Sequence, residues 1–389
     1  MSRRGRCPRE RGIGHPACAR GPPSCERRGA ISATPTYGRR GIAGSAALRN
    51  TKRTLLVALI VFPIVWVLFI ASGTSFGPAV SDPKDFFITL LNGLTAAALY
   101  FVVASGFTLV FGLMRVVNMA HGAFFLLGGY IALRVQRNMV GVGSDVGLSS
   151  AQVNFTQWIV PTIVAVAIIA AAGLIMQQLL LRWNQGQDLR QALITIAVSI
   201  ILADQMLAHF GGVPQDISWP STFDKFVDLK LYETQYTLTR LVILGIGLAV
   251  GLGLWYWLKR TRTGMVIRAG VDDRDMVSAT GINIQLTFAI AFAVGSGLAG
   301  LGGAIGGSFS SLAPGVDANW LLNSLIVVII GGMGSLGGAA IGALLLGLVT
   351  NFTAAYLPAD YTFYSIIFTF ILLAIVLAIR PLGLFGRPA

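Results

Sequence analysis

Histidine and cysteine are scarce in this 389-residue chain, three of each, and only 12% of its residues are charged. Cys7, Cys18 and Cys25 all lie near the N-terminus, form no C-x-x-C pair and precede no histidine cluster, so neither a disulfide framework nor a zinc site is supported. His15, His121 and His209 are scattered, and there is no paired-carboxylate site or nucleophile beside a base. The chain therefore reads as a non-enzyme without metal or cofactor. A G-x-x-x-x-G-K-[ST] loop is missing too, which excludes that device for cradling nucleotide phosphates.

What is abundant is apolar surface. Hydrophobic residues make up 54% of the chain, glycines number 47, and the mean hydropathy is +0.72, far too apolar for a soluble chain of this length. Crossing a bilayer core of about 30 Å takes roughly 20 residues. Candidate spans are Thr54–Ala71, Phe87–Leu113, Met119–Leu133, Trp158–Leu181, Ala192–Phe210, Leu238–Leu258, Ile284–Gly307, a glycine-broken unit over Trp320–Phe352, and Phe363–Ile379. The expected fold class is all-α, a polytopic transmembrane helical bundle of about eight or nine spans. The broken unit near 320–352 is expected to re-enter or to form two short helices.

Of the net charge of +13, twelve arginines and one lysine against two glutamates place +11 in residues 1–53. Residues 1–50, rich in Arg, Gly, Pro and Ser, are expected to be a disordered tail that helps hold the N-terminus inside, or a translated stretch upstream of the true start. A nucleic-acid-binding arm is the weakest alternative, and no nucleic-acid partner is expected. Short loops rich in Lys and Arg stay cytoplasmic. Arg49, Lys52 and Arg53 thus put the N-terminus inside, and Arg115, Arg182, Arg190, the 259–283 segment, Arg380 and Arg387 follow on the same side. Arg134 and Arg137 are the discord, falling outside.

Small residues recur four apart at Gly247 and Gly251, Gly302 and Gly306, Gly303 and Gly307, and Gly338 and Gly342. In lipid such spacing lets helix backbones approach closely. Asn92-Gly93 and Asn323-Ser324 each open a glycine-interrupted apolar unit, a weak internal likeness of the kind that flanks transport paths.

Between two uncharged runs lies a charged island, in which eight of the seventeen residues from 259 to 275 carry charge. Asp272 can cap a short helix, Asp275 can reach back to it, and Gly281 is a natural stop. Met276, Ala279 and Thr280 would then share one face. On residues alone, a docking helix for a partner protein and an ordinary positive-inside connection are evenly matched.

Four stretches together resemble one family, the branched-chain amino acid ABC transporter permeases. The island, with Arg268-Ala269-Gly270, Asp272 to Asp275 and Ala279 to Asn283, is similar to the family's coupling loop. Phe111 to Gly122 is similar to its "G-x-x-x-x-x-N-x-A-H-G" signature, Gly331 to Gly338 to its "G-G-x-G-S-x-x-G" turn, and Arg380 to Arg387 to its C-terminal ending. The resemblance covers about Leu55 to Arg387. Ala123 departs from it where the family often has Glu, and Val213 to Gln235 has no matching feature. It implies a permease domain over 54–387 in a bacterial inner membrane, both termini cytoplasmic. ABC ATPase subunits, a homologous second permease and a periplasmic binding protein are the implied partners beside the lipid bilayer. Contact with the ATPase falls to the 259–283 loop through Arg268, Asp272, Asp273, Arg274, Asp275, Met276, Ala279 and Gly281, with Asp272 to Gly281 as the contact helix.

Gly332-Met333-Gly334-Ser335-Leu336-Gly337 also fits G-x-G-x-x-G, but no strand-to-helix setting surrounds it, so a path-lining turn is the better reading. Asn118 either caps the helix at His121 or lines the inner end of the path with it. Asp204, alone among carboxylates in a central apolar run, is a proton relay or a helix-pairing acid. Asn92, Ser105, Thr195, Ser199, Asn323 and Ser324 complete the candidate path with Gly332 and Gly334. An importer subunit for branched-chain amino acids is the leading expectation. The alternatives are an ion-coupled secondary transporter, a passive channel, or a permease for urea or short amides.

Overall fold

The computed structural model describes residues 83–114, 117–141, 153–184, 186–229, 234–272, 274–357 and 365–386. Its helices are α1 (Pro83–Met114), α2 (His121–Val140), α3 (Thr156–Met176), α4 (Asp188–Phe210), α5 (Leu238–Arg260), α6 (Arg262–Asp272), α7 (Arg274–Ala279), α8 (Ile284–Gly306), α9 (Val316–Gly331), α10 (Leu336–Tyr356) and α11 (Ser365–Ile379). The helical architecture matches the expectation, with one addition: a hairpin of β1 (Phe226–Leu229) and β2 (Thr234–Thr237), in antiparallel register with Phe226 opposite Thr237.

Among the described residues six helices are long and apolar enough to cross a membrane: α1, α3 with its extension to Asn184, α4, α5, α8 and α10. The apolar helices α9 and α11 are shorter, at 16 and 15 residues. The expected span 54–71 and the tail 1–50 lie outside the described residues. The glycine-broken unit resolves into α9 and α10, and its second half is no short helix. α10 runs 21 residues because Ser335 caps it, Oγ accepting from Gly338 N at 3.1 Å, and no proline interrupts it.

α1 and α8 form the centre. Their apolar stretches are 83% and 72% buried, against 11% for α4 and 17% for α5. Around α1 pack α10, α8, α5 and α9; around α8 pack α3, α1 and α2. The glycines decide how close these approaches are. A Cβ built at Gly128 would meet Gly300 Cα at 2.6 Å, and one at Gly303 would land on the Phe125 carbonyl oxygen, so α2 and α8 touch backbone to backbone. Gly247 and Gly251 likewise face Ala98 and Phe101 of α1, the packing role their spacing suggested. Large rings fill the remaining space, with Phe125 stacked on Trp320 at 4.5 Å and Tyr130 on Phe210 at 4.3 Å.

The segment after α4, featureless in sequence, seals one end of the bundle. Gln215 pairs with Leu312 through two backbone hydrogen bonds of 2.9 and 2.7 Å, and Trp219 donates its indole N–H to Ser308 O at 2.8 Å while stacking on Trp158. Arg137 donates to Gln215 Oε1 at 3.3 Å. That arginine is thus held by the protein, which accounts for one of the two charges discordant with the loop-charge rule.

Candidate functional site: the charged island and the cavity above it

The island is built differently from its sequence expectation. Asp272 ends a helix instead of capping one. The helix begins ten residues earlier, at Arg262, because Thr261 caps it: Gly264 N donates to Thr261 Oγ1 at 3.1 Å and Met265 N to the Thr261 carbonyl at 3.0 Å. The expected contact helix Asp272–Gly281 reduces to α7, six residues over Arg274–Ala279. Gly281 stops it as expected, in the left-handed region at φ 81°, and its N–H donates to Ser278 O at 3.0 Å. Asn283 then caps α8, its Oδ1 accepting from Gln285 N and Leu286 N at 3.1 and 3.2 Å.

Burial within the island is one-sided. Ile267 of α6 packs with Leu109 and Leu113 of α1 and Phe288 and Ala291 of α8, and Gly270 lies against Leu113. α7 is anchored by Val277, whereas Met276 is 67% exposed and Ala279 and Thr280 are also exposed. The face expected for a partner is therefore solvent-facing.

Above α6 lies a cavity of about 310 Å³, whose lining includes Ser105 and Thr108 of α1, Lys259 of α5, Arg268 and Val271 of α6, and Gly334 of the glycine turn. Gly112 and Gly334 meet there so closely that a Cβ on Gly112 would sit 2.9 Å from Gly334 Cα. The turn needs glycine for a second reason, since Gly332 and Gly334 have φ of 99° and 80°. The C-terminal Arg380–Gly386 stretch holds the turn from behind. Leu384 N and Phe385 N donate to the Ile330 and Gly331 carbonyls at 2.9 and 3.0 Å, satisfying acceptors left open at the end of α9. Island, turn and C-terminal stretch, separate in sequence, are thus one structural unit.

The other expected path residues do not gather around this cavity. Asn118 is buried and its Oδ1 accepts from Ala120 N at 3.1 Å, the local cap-like role. His121 is wholly buried, its Nε2 3.0 Å from the Val103 carbonyl and its ring edge-on to Phe107. Thr195 of α4 joins this turn by accepting from Met119 N at 3.2 Å, and half-buried Ser199 stands one turn further along α4. Ser324 is buried and donates to the Trp320 carbonyl at 2.7 Å, beside half-buried Asn323. Asn92 sits apart, its Oδ1 accepting from Tyr236 Oη at 3.1 Å and from Arg240 Nη1. Burial pushes the Tyr236 hydroxyl pKa up, with Thr95 and Arg240 opposing.

Several polar residues were not singled out in sequence. Gln177 is buried in a π-helical turn, Gln177–Leu181, that continues α3, and Gln191 on α4 donates to the Asn184 carbonyl at 2.7 Å. A π turn in an apolar helix leaves no local sequence signal. Asp317 is buried in the first turn of α9, where the helix N-terminus favours a carboxylate.

Asp204 is exposed on α4 and no hydrogen bond to it is found among the described residues. A relay needs a proton partner, and this position has none among the described residues. Asp204→Asn is therefore expected to retain solute uptake, measured in vesicles across pH 5.5–8. Lost uptake together with an altered pH profile would restore the relay.

These features define a polytopic helical membrane protein with a charged loop packed beneath a cavity. The family described as "Branched-chain amino acid transport system / permease component" matches residues 89–377, and the chain belongs to it. The chain is 28% identical over 304 residues to the high-affinity branched-chain amino acid transport system permease protein LivH of Escherichia coli K12, covering 77% of this chain and 95% of that protein. It is 28% identical over 303 residues to the corresponding BraD protein of Pseudomonas aeruginosa, with the same coverage. The ribose import permease protein RbsC of Escherichia coli K12 is 25% identical over 278 residues, 69% of this chain and 79% of that protein. No solved structure matches the chain.

Proposed function

We propose that this chain is the membrane-spanning subunit through which an ABC importer passes branched-chain amino acids, or closely related small solutes, across the inner membrane. ATPase subunits in trans power it, a second homologous permease completes the path, and a periplasmic binding protein delivers the solute. Both termini and the 259–283 island face the cytoplasm, and the crossing count is completed by the span at 54–71.

One observation carries this reading: the island helix α6 forms a wall of the cavity that reaches up to Ser105 and the Gly332–Gly334 turn. A push on the exposed face of α7 is transmitted to α6 and, through Ile267 and Gly270, to α1 and α8. A partner's ATP cycle can thereby reshape the space through which solute leaves. The chain itself carries no phosphate-cradling loop, so the ATP chemistry resides in another subunit.

The test is uptake by the purified permease–ATPase complex with its binding protein, using leucine as reference beside urea, short amides and aromatic acids. ATP-dependent leucine accumulation is expected. Uptake of another solute alone would move the substrate and keep the subunit's role. Uptake driven by an ion gradient without ATP would overturn the role.

A further inference from the structure

α1, α5 and α10 leave an open groove of about 620 Å³ along the bundle. Leu248 and Leu252 of α5 form one wall, Ala340 and Leu344 of α10 the other, and Ala98 and Phe101 of α1 the floor; no charged side chain lines it. Leu248 and Leu252 are each 59% exposed although they face the flank of the central helix. Gly247 and Gly251 also border the groove, on the side where α5 packs against Ala98 and Phe101 of α1. We propose that this chain's own apolar segment Thr54–Ala71 occupies the groove, antiparallel to α1.

Connectivity argues for that occupant. The segment is 18 residues long, uncharged, and ends eleven residues before Pro83, where α1 begins. As a helix it is about 27 Å long, and an eleven-residue connection spans at most about 40 Å. A span that immediately precedes α1 runs opposite to it and, with so short a connection, packs beside it. The other sides of α1 are taken by α8, α9, α5 and α10, which leaves the groove as its open flank.

Shape and competition point the same way. Large side chains such as Phe62, Trp66 and Phe69 suit an apolar groove lined by no charged side chain. Tethering gives the segment an effective concentration of roughly millimolar or more, ahead of a second copy of the chain. The groove and the island's cavity share Trp255 and Leu336 as a common border. The inference needs neither solute nor ATPase.

The test is disulfide mapping in membranes on the full-length chain with Cys7, Cys18 and Cys25 changed to serine. A protease site is inserted within residues 72–82, and single cysteines are stepped through positions 57–69 against Leu244→Cys or Leu252→Cys. Oxidation is expected to rejoin the cleaved fragments at positions three or four apart. Leu244→Cys should prefer positions toward Ala71, and Leu252→Cys those toward Thr54, the order antiparallel packing requires. Two outcomes overturn the proposal. One is cross-linking between two copies at Leu248→Cys. The other is no rejoining at any position while a lipid-soluble maleimide labels the groove cysteines, which would make lipid the occupant.

Discussion

Gly303→Ala is expected to be the most damaging single-methyl change in the bundle. A Cβ at this position would fall on the Phe125 carbonyl oxygen and within 2.9 Å of Gly129 N, so the clash is with backbone on a facing helix and no side chain can turn away. Overpacking a tight core costs about 1–3 kcal/mol and occasionally more, against a helix-propensity gain of about 1 kcal/mol for replacing glycine by alanine. The clash wins, and α2 and α8 must separate. Gly253→Ala is the control, because its Cβ would meet nothing within 4 Å and only the propensity gain remains. Thermal unfolding in detergent, with the yield of monodisperse protein, should show a sharp fall for Gly303→Ala and no loss for Gly253→Ala. Equal behaviour of the two would remove the α2–α8 backbone contact as a determinant of stability.

Reversing Asp272, Asp273 and Asp275 to lysine is expected to abolish uptake without preventing membrane insertion. This rests on the proposed coupling role. Asp272 ends α6 and Asp275 lies in the first turn of α7, between Val271, which lines the cavity, and Met276, which is exposed. Truncating one member of a buried charge pair across an interface costs about 2–5 kcal/mol or more, roughly thirty-fold or greater in affinity, and reversal adds repulsion. Insertion should survive, since added positive charge suits the cytoplasmic side proposed for this loop. The measurements are ATPase co-purification and ATP-driven uptake, with membrane yield as the control. If the ATPase still co-purified and uptake persisted, the island would be an ordinary positive-inside connection.

The residues show unevenly what could be read from sequence. The Gly281 stop was legible because a left-handed glycine after a short polar helix is a local device. The short helix expected between Asp272 and Gly281 is present as α7, whereas α6 ahead of it was not anticipated, because its cap, Thr261, directly adjoins the end of α5. Asn118 proved a local hydrogen-bond acceptor, as its position before a helix allowed, but its neighbour Thr195 lies 76 residues from the Met119 N–H it accepts from. No spacing rule reaches that far. The Gln215–Leu312 seal was equally hidden, since its two partners come from distant segments.

By itself the sequence determined that this is a multi-pass helical membrane protein, where its apolar runs lie, and which family it belongs to. Hydropathy is a sum over neighbours in the chain, and the family's signatures are short contiguous stretches. Only the tertiary structure decided which faces are covered: α1 and α8 enclosed, α4 open, the groove beside α1 unfilled among the described residues, and Ser105, Arg268 and Gly334 around one cavity. The physical reason is that these helices are apolar around their whole circumference, as lipid requires, so periodicity cannot mark the packed side. Close approach at Gly106, Gly128 and Gly303 marks it instead, and that depends on which backbone lies opposite.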